Sequence, residues 1–173
     1  MPHDMTIEGF LKELAARKST PGGGSVAALS GALSAGLVSM AAEFSRNEDI
    51  PEESTRLMGI LTGLIDKDAE AFARRDLRGA TEVPLQTARH SYRVLKLAEA
   101  LLESCNPNVI TDIGVAAKMA ESAVRGALLN VEVNLISIGD ADYAKEVLKE
   151  AEEFCSPEYL AGTIISKIQA RLQ

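Results

Sequence analysis

The sequence contains no tryptophan, and its few phenylalanines and tyrosines make only 4% of the chain aromatic. β-Branched residues are nowhere gathered in alternating runs, so the pattern of a half-buried sheet is missing. What remains is Ala and Leu at helical spacing, which predicts an all-α protein. Cysteine is equally scarce: Cys105 and Cys155 stand far apart, with no Cys-x-x-Cys or Cys/His cluster around either. That spacing argues against a disulfide framework or a thiolate metal site. His3 and His90 are the only histidines, too few for histidine-based metal coordination, and a Ser-His-Asp arrangement would have to use His90. No metal is expected. Lys and Arg are outnumbered, giving a net charge of −7. Nucleic acid is therefore a poor partner, because phosphate neutralisation needs concentrated positive charge. The opening Met1-Pro2-His3-Asp4-Met5 has neither the basic nor the apolar region of a secretory leader, which points to the cytoplasm.

The chain has 173 residues, of which 46% are hydrophobic. That fits one globular domain over 1–173 with a sizeable core. Its organising stretch is Ser19-Thr-Pro-Gly-Gly-Gly-Ser25 and the small-residue run Ser25–Ala42 behind it. Pro21 fixes the approach to a turn, Gly22, Gly23 and Gly24 open backbone angles closed to other residues, and Ser25 begins a helix. Such a turn leaves backbone N–H groups free for an anionic or carbonyl-bearing ligand. The run carries no charge and is mostly Ala, Ser and Gly, so it reads as a central buried helix. It also reaches the lower edge of a membrane span, with small-xxx-small spacing at Ala27/Gly31/Ala35. Serine and glycine dilute it, and no second such run exists, so no membrane is expected.

Around it the periodicity predicts an amphipathic helix capped by Thr6, a helix over 51–76, and another capped by Thr81 after Gly79 closes its predecessor. A long helix is predicted from about 109 to 138, and two amphipathic helices over 140–173, the second opening at Ser156-Pro157. In the 51–76 helix, Leu57, Ile60, Leu61, Leu64, Ile65 and Phe72 define the inward stripe, and Asp68 falls within it. Asp68 therefore faces either the core or a cleft; the structural alternative is a cap, or a pair with Arg74, Arg75 or Arg89. Glu82 reads most simply as a dipole-compensating carboxylate, with a ligand contact as the alternative. In the long helix Lys118, Glu121, Arg125 and Glu132 share one outer sector, while Asp112, Asn130 and Asn134 lie opposite. Asp112 could simply cap the helix, and each Asn could tie helices together. Asp112 and Asn130 are separated by about 27 Å of helix. One small site can use both only through an elongated ligand or a second subunit.

Thr20-Pro-Gly-Gly-Gly-Ser-Val-Ala-Ala28, Asp68-Ala-Glu-Ala-Phe72, Glu82-Val-Pro-Leu85, Asn106-Pro-Asn108 with Thr111-Asp-Ile-Gly-Val-Ala-Ala117, and Gly126-Ala-Leu-Leu-Asn-Val-Glu-Val-Asn-Leu135 follow one another in a telling order. In this the sequence resembles the formimidoyltetrahydrofolate cyclodeaminase and methenyltetrahydrofolate cyclohydrolase family, which includes the cyclodeaminase domain of formiminotransferase-cyclodeaminase. The resemblance covers roughly 6–140. It departs from the family's pattern in two shortened segments, Asn47–Ile50 and Arg74–Ala80, and in Thr111, where Ser is usual.

The resemblance implies an all-helical homodimer joined through long helices, with a tetrahydrofolate derivative as substrate and no tightly bound cofactor. Two reactions are implied: closure of 5-formimino-tetrahydrofolate to 5,10-methenyltetrahydrofolate with loss of ammonia, or hydrolysis of the methenyl bridge to 10-formyltetrahydrofolate. Each needs proton transfers beside a cationic bridge, which suits inward carboxylates. On that reading Asp68 and Asp112 are the acid/base candidates. Gly22, Gly23, Gly24 and Ser25 offer backbone donors, and Glu82, Asn130 and Asn134 orient the substrate. The shortened segments motivate an alternative, a folate or small-ligand binding module without turnover.

Overall fold

The computed structural model describes residues 1–154 and 156–173. Cys155 lies outside the described residues, and with it the question of its pairing; Cys105 is a free, buried thiol. Among the described residues all regular structure is helical, as the composition requires. The α-helices are α1 (Ile7–Ala15), α2 (Gly23–Phe44), α3 (Ile50–Arg74), α4 (Leu77–Leu102), α5 (Ile110–Ile138), α6 (Ala141–Ala151) and α7 (Pro157–Arg171). Short 3-10 turns at Pro2–Asp4, Pro107–Val109 and Glu152–Phe154 complete the described elements.

α2 is the centre, packed by α3, α4 and α5. Its small side chains let those helices come close. Gly31 lies against Leu61 and Ser91, and Ala27 meets Gly126. Two of its serines turn hydroxyls into inter-helix ties: Ser30 Oγ donates to the Met119 carbonyl at 2.9 Å and Ser34 Oγ to that of Ala116 at 2.7 Å. The helix is long and apolar enough to cross a membrane, yet 56% of its most apolar window is buried inside the bundle. Leu57, Leu61 and Leu64 of α3, Leu95, Leu101 and Leu102 of α4, Ile113 of α5 and Ile164 of α7 are fully buried around it. Each contributes about 1.5–3 kcal/mol by leaving water.

One buried group is left without a partner. Ser91 Oγ is enclosed where Gly31 and Leu61 close on α4 and, among the described residues, has no hydrogen bond. Ser91→Ala removes an unsatisfied hydroxyl and leaves a void smaller than a methyl group. It is expected to stabilise the protein by about 1 kcal/mol, read as a rise in thermal midpoint of roughly 2–4 °C. A fall in midpoint would mean that the hydroxyl has an unseen partner.

The α3–α4 junction differs from the sequence expectation. α3 stops at Arg74, Arg75 takes the left-handed conformation (φ 55°), and α4 starts at Leu77 with Asp76 as its cap, accepting from the Gly79 N–H at 2.9 Å. Gly79 is therefore no terminator. A Cβ there would lie 2.3 Å from Asp76 Oδ2, so the glycine makes room for the capping carboxylate. Thr81, expected as the cap, is buried inside the helix and bonds back to the Leu77 carbonyl at 2.9 Å. Pro84 consequently lies in the helix interior rather than its first turn. The Thr6 cap stands where the sequence puts it, accepting from the Gly9 N–H at 3.1 Å; of Asp140 and Asp142, both open as starts of α6 from sequence, Asp140 is the cap, accepting from the Tyr143 N–H at 3.1 Å.

The inward stripe of α3 is also corrected. Phe72 is 59% exposed, and the deepest carboxylate of the helix is Asp66, 6% exposed, which the sequence reading passed over. Both Asp66 oxygens are taken by His3, one through the His3 backbone N–H at 3.1 Å and the other through its ring Nδ1. A carboxylate this deep requires such partners. The pair straps the first residues onto α3.

Candidate functional site

The site grows from the first turn of α2. The Thr20–Pro21 peptide is cis, Gly22 is the extended N-cap (φ −132°), and Gly23, Gly24 and Ser25 are already helical. No side chain caps this end, and the first intrahelical bond runs from the Val26 N–H to the Gly22 carbonyl at 3.0 Å. The N–H groups of Gly23, Gly24 and Ser25 thus precede the hydrogen-bonded ladder and sit at the positive end of the helix dipole. None of these glycines has a positive φ; among glycines only Gly139 does. The sequence expectation of unusual angles is replaced by a spatial reason. A Cβ on Gly24 would lie 2.1 Å from Asp68 Oδ1 and 2.6 Å from its Cγ.

Asp68 therefore sits directly on the backbone of the turn. Its Oδ2 accepts from Ser25 Oγ at 2.8 Å. The same hydroxyl lies 3.4 Å from the Ile65 carbonyl, and Ser25 itself is wholly buried. Asp68 is half-buried and pairs with none of Arg74, Arg75 or Arg89. Among the described residues no hydrogen bond engages its Oδ1, which faces the Cβ position of Gly24. Phe72, four residues on and so a neighbour of Asp68 on the surface of α3, is exposed. Sequence reasoning gave Phe72 to the core. The i, i+4 spacing from Asp68 was the available signal for a shared exposed face.

Asn130 closes the turn from the side of α5. Its amide lies 3.7–3.9 Å from the Cβ position of Gly23, and its Nδ2 donates to the Gly126 carbonyl at 2.8 Å, leaving Oδ1 free. Asn134, one turn on, is committed elsewhere: Nδ2 donates to the Ala80 carbonyl of α4. Glu82, two residues beyond Ala80, accepts from Gln86 Nε2 at 2.9 Å. Its charge, after burial, is the next influence raising the Tyr143 phenol above the ordinary tyrosine range. Gly22–Ser25, Asp68 and Asn130 are thus brought together, and Asn134, one helical turn beyond Asn130, ties the α4 turn that carries Glu82 to α5.

Asp112 is not brought there within one chain. α2 and α5 run antiparallel, Gly23 beside Asn130 and Ser34 beside Ala116. Asp112 consequently stands at the far end of α5, where its charge helps burial push the Cys105 thiol up. His90 forms no triad: burial, Arg89 and Arg56 all push it below the ordinary histidine range, and among the described residues it has no hydrogen bond. No group of three or more His, Cys, Asp or Glu among the described residues is placed to hold a metal ion. A groove of about 500 Å³ between α5 and α7, lined by Thr111, Lys118 and Gln169, lies away from the glycine turn.

One outer strip of α5 is left bare. Val115, Ser122, Leu129 and Ile136 recur every seven residues and, with Val133, are exposed; Val115 is 52%, Leu129 63% and Ile136 81% exposed. This strip borders the face that carries Asp112 and Asn130.

A family model for formiminotransferase-cyclodeaminase matches residues 6–75 and 73–153. A methenyltetrahydrofolate cyclohydrolase of Methylorubrum extorquens is 37% identical over 88% of this chain and 89% of its own. A formimidoyltransferase-cyclodeaminase of Mus musculus is 33% identical over 85% of this chain, which spans only 32% of that longer protein. The crystal structure of formiminotetrahydrofolate cyclodeaminase from Thermotoga maritima superposes on all of this chain and all of its own with a TM-score of 0.92 at 26% identity.

Proposed function

The chain belongs to the formiminotransferase-cyclodeaminase family, and from that premise we propose that it hydrolyses 5,10-methenyltetrahydrofolate to 10-formyltetrahydrofolate, with Asp68 as the proton acceptor. It is an enzyme of folate one-carbon interconversion. The observation that carries the reading is the Asp68 carboxylate, held by Ser25 against the open first turn of α2. The methenyl bridge is cationic, and a carboxylate beside it stabilises it and draws a proton from the attacking water. The water oxygen adds to the bridge carbon. Its second proton leaves, the bond to N5 breaks as N5 is protonated, and the carbonyl of the formyl group remains on N10. One proton is released overall. Free N–H groups of Gly23 and Gly24 suit the oxygen that develops on the bridge carbon, and the exposed ring of Phe72 suits stacking of the flat pterin. Every step is a proton transfer or a C–O or C–N bond change, so no electron carrier is required.

The Thermotoga maritima neighbour supports a second reaction on the same groups. In such a reaction N10 of 5-formimino-tetrahydrofolate attacks the formimino carbon and loses its proton, and the formimino nitrogen takes up that proton and one more and leaves as ammonia, giving the cationic methenyl bridge. Methenyltetrahydrofolate absorbance separates the readings on mixing with the protein. Decay in proportion to protein supports hydrolysis, appearance from the 5-formimino substrate with ammonia supports cyclodeamination, and neither, with binding intact, leaves a folate-binding module.

A homodimer belongs to the same proposal, as does a single functional unit over 1–173 in the cytoplasm. The bare strip on α5 is an apolar seam with coiled-coil spacing. Two α5 helices packed antiparallel and crossing near Glu121, about one turn before the middle of the helix, bring Asp112 of a second copy towards Asn130. That would make Asp112 the second acid/base group, and it accounts for a site left open in a single chain. Sedimentation at assay concentration is expected to give twice the 18.4 kDa chain mass; a monomer there removes Asp112 from the mechanism.

A further inference from the structure

Pro84 has no N–H and lies inside α4, so the Ala80 carbonyl one turn earlier loses its intrahelical donor, and the proline ring presses it away from the helix axis. A half-buried carbonyl in that position needs another donor. It has one: Asn134 Nδ2, reaching across from α5. The loose turn of α4 between Ala80 and Pro84 is the turn that carries Glu82, and Asn134 is one helical turn from Asn130, which packs on Gly23. We infer that Asn134 is a positioning residue: its amide supplies the hydrogen bond that Pro84 withholds from Ala80, and so fixes the Glu82 turn to α5, one helical turn from Asn130. Its role is thus distinct from the direct contact with substrate that its place on the inward face of α5 suggests. Asparagine is suited to it, since an aspartate would set a carboxylate against the carbonyl and a leucine of the same shape would donate nothing.

The inference rests on the folate reading for its activity readout and stands without it on stability. Asn134→Leu, Pro84→Ala and the double variant are made in the full chain and compared for turnover of methenyltetrahydrofolate and for thermal midpoint. Asn134→Leu alone is expected to lower kcat/KM about tenfold to a hundredfold, the scale of a small displacement near a reacting group. Its midpoint should fall by roughly 2–4 °C. Pro84→Ala restores an N–H to the Ala80 carbonyl, so the double variant is expected to recover to within about threefold of Pro84→Ala in kcat/KM and to lose its midpoint deficit. In a Glu82→Gln background, Asn134→Leu is expected to cost less than about twofold further, which a merely structural role would not produce. A double variant as impaired as Asn134→Leu, or full additivity with Glu82→Gln, would overturn the inference and assign Asn134 to the substrate. If the protein turns over no folate, the folate reading fails, and the midpoint cycle alone decides the pairing of Asn134 with Pro84.

Discussion

Asp68→Asn is expected to lower kcat by on the order of 100-fold or more, the usual worth of a positioned proton acceptor, while leaving the protein folded. The substitution is close to isosteric. The Asn side-chain oxygen can still accept from Ser25 Oγ, now 2.8 Å from Asp68 Oδ2, so the tie between α2 and α3 survives. What disappears is the negative charge next to the cationic bridge and the capacity to take a proton. The two losses act on the transition state, so kcat is expected to fall more than KM rises. Steady-state kinetics on methenyltetrahydrofolate, with the thermal midpoint as a control on folding, checks this. Turnover retained within about threefold would remove Asp68 from the chemistry.

Gly24→Ala is expected to do nearly the same damage through a methyl group. In the first turn of a helix alanine is ordinarily preferred to glycine by up to about 1 kcal/mol. Here its Cβ would stand 2.1 Å from Asp68 Oδ1 and 2.6 Å from Cγ, far inside contact distance. Either the Asp68 side chain swings out and gives up Ser25, or α3 moves back from α2. Overpacking of this kind costs about 1–3 kcal/mol, and the acceptor is misplaced in both cases. The expected result is a fall in kcat comparable to that of Asp68→Asn, together with a lower midpoint. In an Asp68→Ala background, where nothing occupies the methyl's place, Gly24→Ala is expected to recover the lost midpoint. A Gly24→Ala protein with unchanged kinetics would show that the carboxylate and the turn do not act as a unit.

These two residues also mark how far the sequence could be read. The helices and the buried status of the small-residue run followed from spacing and from the absence of charge, because a helix covered on several sides must be uncharged and narrow. Of the segments the resemblance gathered, the fold brings Thr20–Ala28, Asp68–Phe72 and Gly126–Leu135 together, and a single chain holds Thr111–Ala117 apart from them. Their reasons were partly out of reach: the glycines suggested unusual backbone angles, whereas Gly24 is glycine because Asp68 rests on it, a contact between residues 44 positions apart. Gly79 misled in the same way, its missing side chain serving the Asp76 cap and not a helix end. Phe72 satisfied the period of a buried stripe, and period alone cannot tell that α3 outruns its cover near its C-terminal end. Asp66 escaped notice because its partner, His3, arrives from the far end of the sequence. The distance of Asp112 from Asn130, by contrast, was fixed by helical rise alone.

The hydroxyl ties of α2 reach far along the chain: Ser30 and Met119 are 89 residues apart, Ser34 and Ala116 82. A nascent chain therefore carries this helix, uncharged from Ser25 to Ala42, with one flank uncovered until the first third of α5 has been made. During that interval its surface has the make-up of a membrane segment and no finished pocket to occupy. The flank of α2 that Ser30 and Ser34 tie down thus stays open, during synthesis, from the emergence of Phe44 to that of Met119.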